Sequence, residues 1–252
     1  MTQPDDTRPP SLTFGILRGL WRLLRRYLGR VTGFVWRWLR LALIVFFTAV
    51  LTVTLLYTFV NPPTTLYIAS EKARLGEVRR DWVDLEEIAP VMVRAVVAAE
   101  DANFCAHWGF DMTAIRQVIA EGESRGASTI TQQTVKNVYL WPARSWPRKA
   151  FEAVITPIVE LIWSKRRVLE VYLNMIEFDT GVFGVEAAAR QYFGKSAADL
   201  NADQAARLAA ILPNPKDRSA AQPTQFILNR SASIRDGAET IRLDGRAACF
   251  ED

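Results

Sequence analysis

The chain has 252 residues, 50% of them hydrophobic and 23% charged, which is too apolar for a disordered protein and sufficient for a packed core. Two cysteines and one histidine exclude a disulfide scaffold, a four-cysteine zinc site and HExxH metalloprotease chemistry. The formal charge of +4 is held unevenly. Residues 1–40 carry eight arginines and only Asp5 and Asp6, whereas the chain beyond residue 60 holds 23 basic and 25 acidic side chains. A near-neutral body argues against a nucleic-acid-binding surface.

Residues 14–40 read as a helix with one cationic face. At 100° per residue, Arg18, Arg22, Arg25, Arg26, Arg30, Arg37 and Arg40 fall within an arc of roughly 140°. Two readings stay open: an interfacial helix on anionic lipid, or the basic flank of a longer helix. Residues 41–60 are uncharged and, as a helix, span about 30 Å, the thickness of a bilayer core. No convincing signal-cleavage site follows, so an uncleaved transmembrane helix is expected. Arginines precede it and no basic residue follows until Lys72, which puts the N-terminus in the cytoplasm and the rest outside.

Asn61-Pro62-Pro63-Thr64-Thr65 reads as a stiff linker. Helical periodicity follows over 86–100, 148–164, 165–177, 183–193 and 202–212, with Pro90 tolerable only in a first turn. Residues 122–126 read as a loop, and Leu212-Pro213-Asn214-Pro215 stops a helix. Strand signals are sparse. The expectation is one mainly α outer domain.

Four polar clusters stand out. In the first, residues 99–111, Glu100 shares a helix face with Val96 and Val97, at the edge of a core where burial raises a carboxyl pKa towards acid–base use. Asp101 beside it favours a proton staying on one of the two. The plain alternative is a helix end running into a polar turn, with His107 satisfied by a backbone carbonyl. In the second, residues 126–137, Ser128 caps a helix from about Thr129 that presents Gln132, Gln133, Lys136 and Asn137. It is either an anion or sugar site or an ordinary capped surface helix. In the third, Lys149 and Glu152 are spaced as a surface ion pair. In the fourth, residues 165–174, Leu169, Tyr172 and Leu173 suggest a packed helix with Lys165 and Glu170 as supports.

Taken together, EDANFCAHWGFD, GASTITQQTVKN, RKAFE and KRRVLEVYLNMIEF resemble, in order and spacing, the peptidoglycan glycosyltransferases of glycosyltransferase family 51. The stretch from Gly184 to Lys195 and residues 212–215 match as well. The resemblance covers about residues 82–216 and points to the family's monofunctional, membrane-anchored members. No Ser-x-x-Lys or Lys-Thr-Gly occurs, so no penicillin-binding half is expected. The implied organisation is a basic cytoplasmic segment (1–40), a transmembrane helix (41–60), a membrane-proximal linker (61–81), a lysozyme-like helical core (82–216) and a C-terminal part (217–252) without a readable motif.

The resemblance also implies a chemistry. Lipid II is polymerised: the 4-hydroxyl of one lipid II attacks the anomeric carbon of the growing chain with inversion, and undecaprenyl pyrophosphate leaves. Glu100 matches the general base and Glu152 the second glutamate. Lys136, Arg148 and Lys149 match pyrophosphate contacts, and Ser128, Gln133 and Asn137 match polar cleft positions. Asp101, Phe104 and His107 shape the loop around Glu100. No organic cofactor is implied. A divalent cation at the pyrophosphate is compatible, without a dedicated metal cage. The implied partners are lipid II, the glycan chain and the inner membrane, with other cell-wall synthesis or division proteins compatible and no nucleic acid. Phe151 and Ile155 are candidates for a lipid groove or for the core. Ala127, Thr134 and Asp179 depart from the family's commoner Gly, apolar residue and Gly. Cys105 and Cys249 either pair or stay as thiols. Two rival readings remain, a lysozyme-like lytic enzyme and a non-catalytic periplasmic scaffold; the cations at 136, 148 and 149 and the retained glutamates weigh against both.

Overall fold

The structure is a computed structural model that describes residues 12–121, 127–143 and 145–251, with side chains from Leu20 onward. The loop expected at 122–126 lies outside the described residues. The chain divides into two compact units between Thr52 and Val53. The first unit is helical: α1 runs from Leu12 to Phe59, so the basic face and the apolar span form one continuous helix. Its stretch Leu20–Phe59 is long and apolar enough to cross a membrane.

The second unit takes the last turns of α1 and the outer domain. In order it holds α2 (Leu66–Leu75), β1 (Arg79–Arg80), α3 (Pro90–Glu100), α4 (Met112–Glu121), α5 (Ile130–Tyr139), α6 (Trp146–Ile162), α7 (Lys165–Met175), β2 (Glu177–Asp179), β3 (Val182–Phe183), α8 (Val185–Phe193), α9 (Ala202–Ile211) and α10 (Gln225–Leu243). Thr54, at the end of α1, is buried: its backbone carbonyl accepts from Trp163 Nε1 at 2.8 Å and its hydroxyl from Tyr139 at 3.1 Å.

The expected helices are present, each within a few residues of its expected bounds. Pro90 occupies the first turn of α3, where its missing N–H costs nothing. Helices α2, α4 and α10 were not read from the sequence. The small sheet has the order β1-β3-β2, with β1–β3 parallel and β2–β3 antiparallel.

Two packed groups make the domain. Helices α3, α9 and α10 pack together, and α5 packs on α6 and α7. Between them lies an apolar core that includes Val96, Phe104, Leu169, Tyr172, Phe178 and Leu208, all fully buried. Asn174, also buried, clips α7 to the segment before α3. Its Nδ2 donates to Val83 O at 2.8 Å, and its Oδ1 accepts from Val83 N at 3.0 Å.

Candidate active site

Glu100 is the last residue of α3, and the polar loop starts at Asp101. That loop is tied down by its own side chains. Asp101 is buried; one oxygen lies 2.8 Å from His107 Nε2 and the other accepts from Ile130 N, the first residue of α5, at 3.0 Å. His107 is therefore held by a carboxylate, not by the backbone carbonyl considered from sequence. Phe104 is fully buried, with the Lys165 ammonium 4.3 Å over its ring. Lys165 also donates to His107 O and pairs with Glu160, which confirms its expected supporting role. Glu170 pairs with Arg167 at 2.8 Å. Gly109 takes φ +77° where an added Cβ would lie 2.5 Å from Thr156, so only glycine fits.

The cap of α5 differs from the expectation by one residue. Thr129, not Ser128, is the N-cap, in a capping box with Gln132. Ser128 is thereby released, and its hydroxyl accepts from Lys149 Nζ at 3.1 Å. The helix projects Gln133 towards Glu100: Gln133 Nε2 donates to Glu100 Oε2 at 2.8 Å, while Tyr172 donates to Gln133 Oε1 at 3.3 Å. Thr134 is buried without cost, because its hydroxyl bonds Ile130 O.

The third cluster is not a surface pair. Glu152 is 3% exposed and is clamped by Lys149 and by Arg148 Nη1 at 3.3 Å. Among the described residues, the buried Arg148 Nε has no hydrogen-bond partner. Ile155 belongs to the core, whereas Phe151 is partly exposed and sets its ring edge-on to Trp141.

Seven of the predicted residues converge on one cavity of about 440 Å³: Ser128, Gln133, Lys136, Asn137, Arg148, Lys149 and Glu152. Glu100, Asp101, Phe104 and His107 are not in its wall. Glu100 connects to the wall through Gln133. Burial pushes the Glu100 carboxyl above its ordinary range, against the Gln133 hydrogen bond and the charges of Arg230 and Lys136; Asp101 adds a smaller rise. Burial lowers the Lys136 ammonium, with Arg148 and Lys149 acting the same way and Glu152 and Glu100 opposing.

Sequence reading missed part of the site. Tyr67, Glu177 and Lys216 also line the cavity. Tyr67 donates to Glu177, and Lys216 pairs with Glu71 at 3.0 Å and Glu177 at 3.4 Å. Arg230, on α10, acts electrostatically on Glu100. No local pattern marks these residues, because α2, β2, the turn after α9 and α10 come together only on folding. Among the described residues no group of three or more His, Cys, Asp or Glu converges as a metal-ligand set.

A partly buried carboxyl held above its ordinary range, beside a cleft lined with cations and amides, is an arrangement suited to acid–base chemistry on an anionic substrate. Residues 69–238 match the transglycosylase family. The chain belongs to that family, and its fold is of the mainly α, lysozyme-like class. It is 63% identical over 194 residues to a protein of Jannaschia sp. (strain CCS1) named biosynthetic peptidoglycan transglycosylase, covering 77% of this chain and 81% of that one. Proteins of the same name from Rhodospirillum centenum (48% identical, 78% of this chain and 87% of that one) and Caulobacter vibrioides (43%, 77% and 87%) are also similar.

Proposed function

We propose that this transglycosylase polymerises lipid II into linear peptidoglycan strands, with inversion at the anomeric carbon and release of undecaprenyl pyrophosphate. The observation that carries the reading is the pairing of a partly buried, raised-pKa Glu100 with a cavity bearing Lys136, Arg148 and Lys149. The biosynthetic name of the relatives supports synthesis over cleavage.

Glu100 takes the proton of the acceptor's 4-hydroxyl as that oxygen bonds the donor's anomeric carbon. The bond from that carbon to the diphosphate breaks, and the electron pair leaves with the diphosphate. Lys136, Arg148 and Lys149 stabilise the charge that develops there, Arg148 with a fork and the lysines as point charges. The Arg148 Nε, without a hydrogen-bond partner among the described residues, is a donor for such an anion. Glu152 holds Arg148 and Lys149 in place for it. Ser128, Gln133 and Asn137 supply polar contacts, and Asp101, Phe104 and His107 set the loop that carries Glu100. A divalent cation, where it takes part, arrives with the diphosphate, and no step here runs through one.

The apolar helix anchors the enzyme in the inner membrane with its arginines on the cytoplasmic side, so the cleft meets lipid-linked substrate outside. The test is full-length detergent-solubilised protein with labelled lipid II, products resolved on a gel. Polymer from wild type and almost none from Glu100→Gln supports the reading. Equal polymer from both removes Glu100 as base, and cleavage of preformed glycan by wild type replaces synthesis with lysis.

A further inference from the structure

The end of the chain reaches the loop that follows Glu100. Cys249 forms a disulfide with Cys105, 144 residues away in sequence, with Cα atoms 5.6 Å apart. Arg246 Nη1 donates to Ala102 O at 3.2 Å. The Phe250 ring lies 6.4 Å from that of Phe104, and both side chains are buried. All three contacts fall on Ala102, Phe104 and Cys105, next to Glu100. The tail is itself fixed: Arg166 Nη1 donates to Phe250 O at 2.9 Å, and Arg94, on the helix that ends in Glu100, pairs with Glu251 at 2.7 Å. The disulfide and the Arg246 bond are separate from the polar network through Asp101 and Lys165, whereas Phe250 meets it at Phe104.

We infer that the tail is a strap that positions the Glu100 loop, so that turnover depends on the Cys105–Cys249 bond and on Arg246. The inference rests on Glu100 being the base. A base must meet the hydroxyl within hydrogen-bond reach, and a misplacement of about 1 Å can cost about 10²-fold in rate. Lys136, Arg148 and Lys149 lie on α5 and α6, and none of these ties of the tail falls on either helix, so binding of the diphosphate is expected to be spared when the strap opens. Opening is a two-electron reduction. A dithiol gives two electrons and two protons to the bonded sulfurs, leaving Cys105 and Cys249 as thiols and becoming a disulfide itself. In an oxidising compartment the bond persists.

The experiment uses full-length protein in detergent, assayed oxidised and after dithiothreitol with the thiols counted by alkylation and mass. Cys105→Ser/Cys249→Ser, Arg246→Ala and Arg246→Lys accompany it. Reduced wild type and the double-serine protein, shown folded by circular dichroism at the assay temperature, are expected to lose about tenfold in kcat with KM within about twofold. Arg246→Ala, its disulfide intact, loses about threefold and Arg246→Lys recovers most of it, because lysine still reaches a carbonyl. Binding of a phosphoglycolipid donor mimic stays unchanged throughout. Unchanged kcat with a lower Tm alone would make the bond a stability staple and overturn the inference; if the double-serine protein does not fold, an unchanged kcat in Arg246→Ala overturns it equally. Glu100→Gln in the oxidised protein separates the two readings. If it stays active, the base assignment falls and the inference falls with it. If it is inactive while reduced protein is fully active, the strap falls alone.

Discussion

Glu152 lines the cleft and Glu100 reaches its wall through Gln133, in opposite surroundings. Glu152 sits on α6 one turn after Arg148 and Lys149, and both cations close on it. Among the described residues no ion pair includes Glu100, which has an amide for a partner and a carboxyl held above its ordinary range by burial. The same side chain therefore has two capacities. A carboxylate closed on by two cations fixes their positions; a desolvated, amide-bonded one has its pKa raised towards proton transfer. Under the proposed function, organising charge and moving a proton are separated by surroundings.

Opposite effects on stability and rate break or keep that contrast. Glu100→Gln is expected to lower polymerisation by roughly 10²–10⁴-fold, the range of a missing general base, while raising Tm by a few degrees. The sign follows from linkage. A carboxyl whose folded pKa is raised stabilises the fold below its unfolded pKa, and that stability is lost as pH rises through the folded value. Gln removes the ionisation and its cost. Glu152→Gln is expected to do the reverse, leaving Arg148 and Lys149 unpaired; with Lys149 partly exposed, the loss falls at or below the low end of the about 3–5 kcal/mol typical of a broken buried pair. Thermal melts of both variants decide it, and a Tm change of the same sign in both would sink the contrast.

Lys136→Met is expected to weaken binding of a phosphoglycolipid donor mimic by about tenfold, near 1.4 kcal/mol, by titration. Lys149→Ala costs less, since its ammonium is more exposed than Arg148. The subtlest effect is the position of the acid limb of the rate profile. Activity needs Glu100 ionised, so the limb lies above the about pH 4.3 of an ordinary glutamate. Initial rates across the acid range check this, and a limb at the ordinary value would mean that burial does not tune the base.

The helices read from the sequence share strong periodicity, as in α7, where Val168, Leu169, Tyr172 and Leu173 are all buried. Helix α10 escaped because its pattern is diluted by small and polar residues. One of them, Gly237, passes Ala98 closely enough that an added Cβ would lie 3.4 Å from its Cβ. That is ordinary contact distance, so a glycine is tolerated there without being required, and it reads as a poor helix former. The cap of α5 was misplaced by one residue because Ser128 and Thr129 are equally good caps in sequence. The hydrogen bond from Thr129 to Gly109 O and that from Lys149 to Ser128 distinguish them.

By itself the sequence determined the apolar anchor, the helical character of the outer domain and the residue types the chemistry needs. Each depends on composition or on spacings of three and four residues, which are local and survive in a linear string. Tertiary structure decided that the Glu100 carboxyl is held above its ordinary range, that Lys149 clamps a buried Glu152, that Tyr67, Glu177 and Lys216 line the cavity with Arg230 acting on Glu100, and that Cys105 meets Cys249. Those outcomes depend on desolvation and on contacts between segments far apart in the chain, and neither exists until the helices pack.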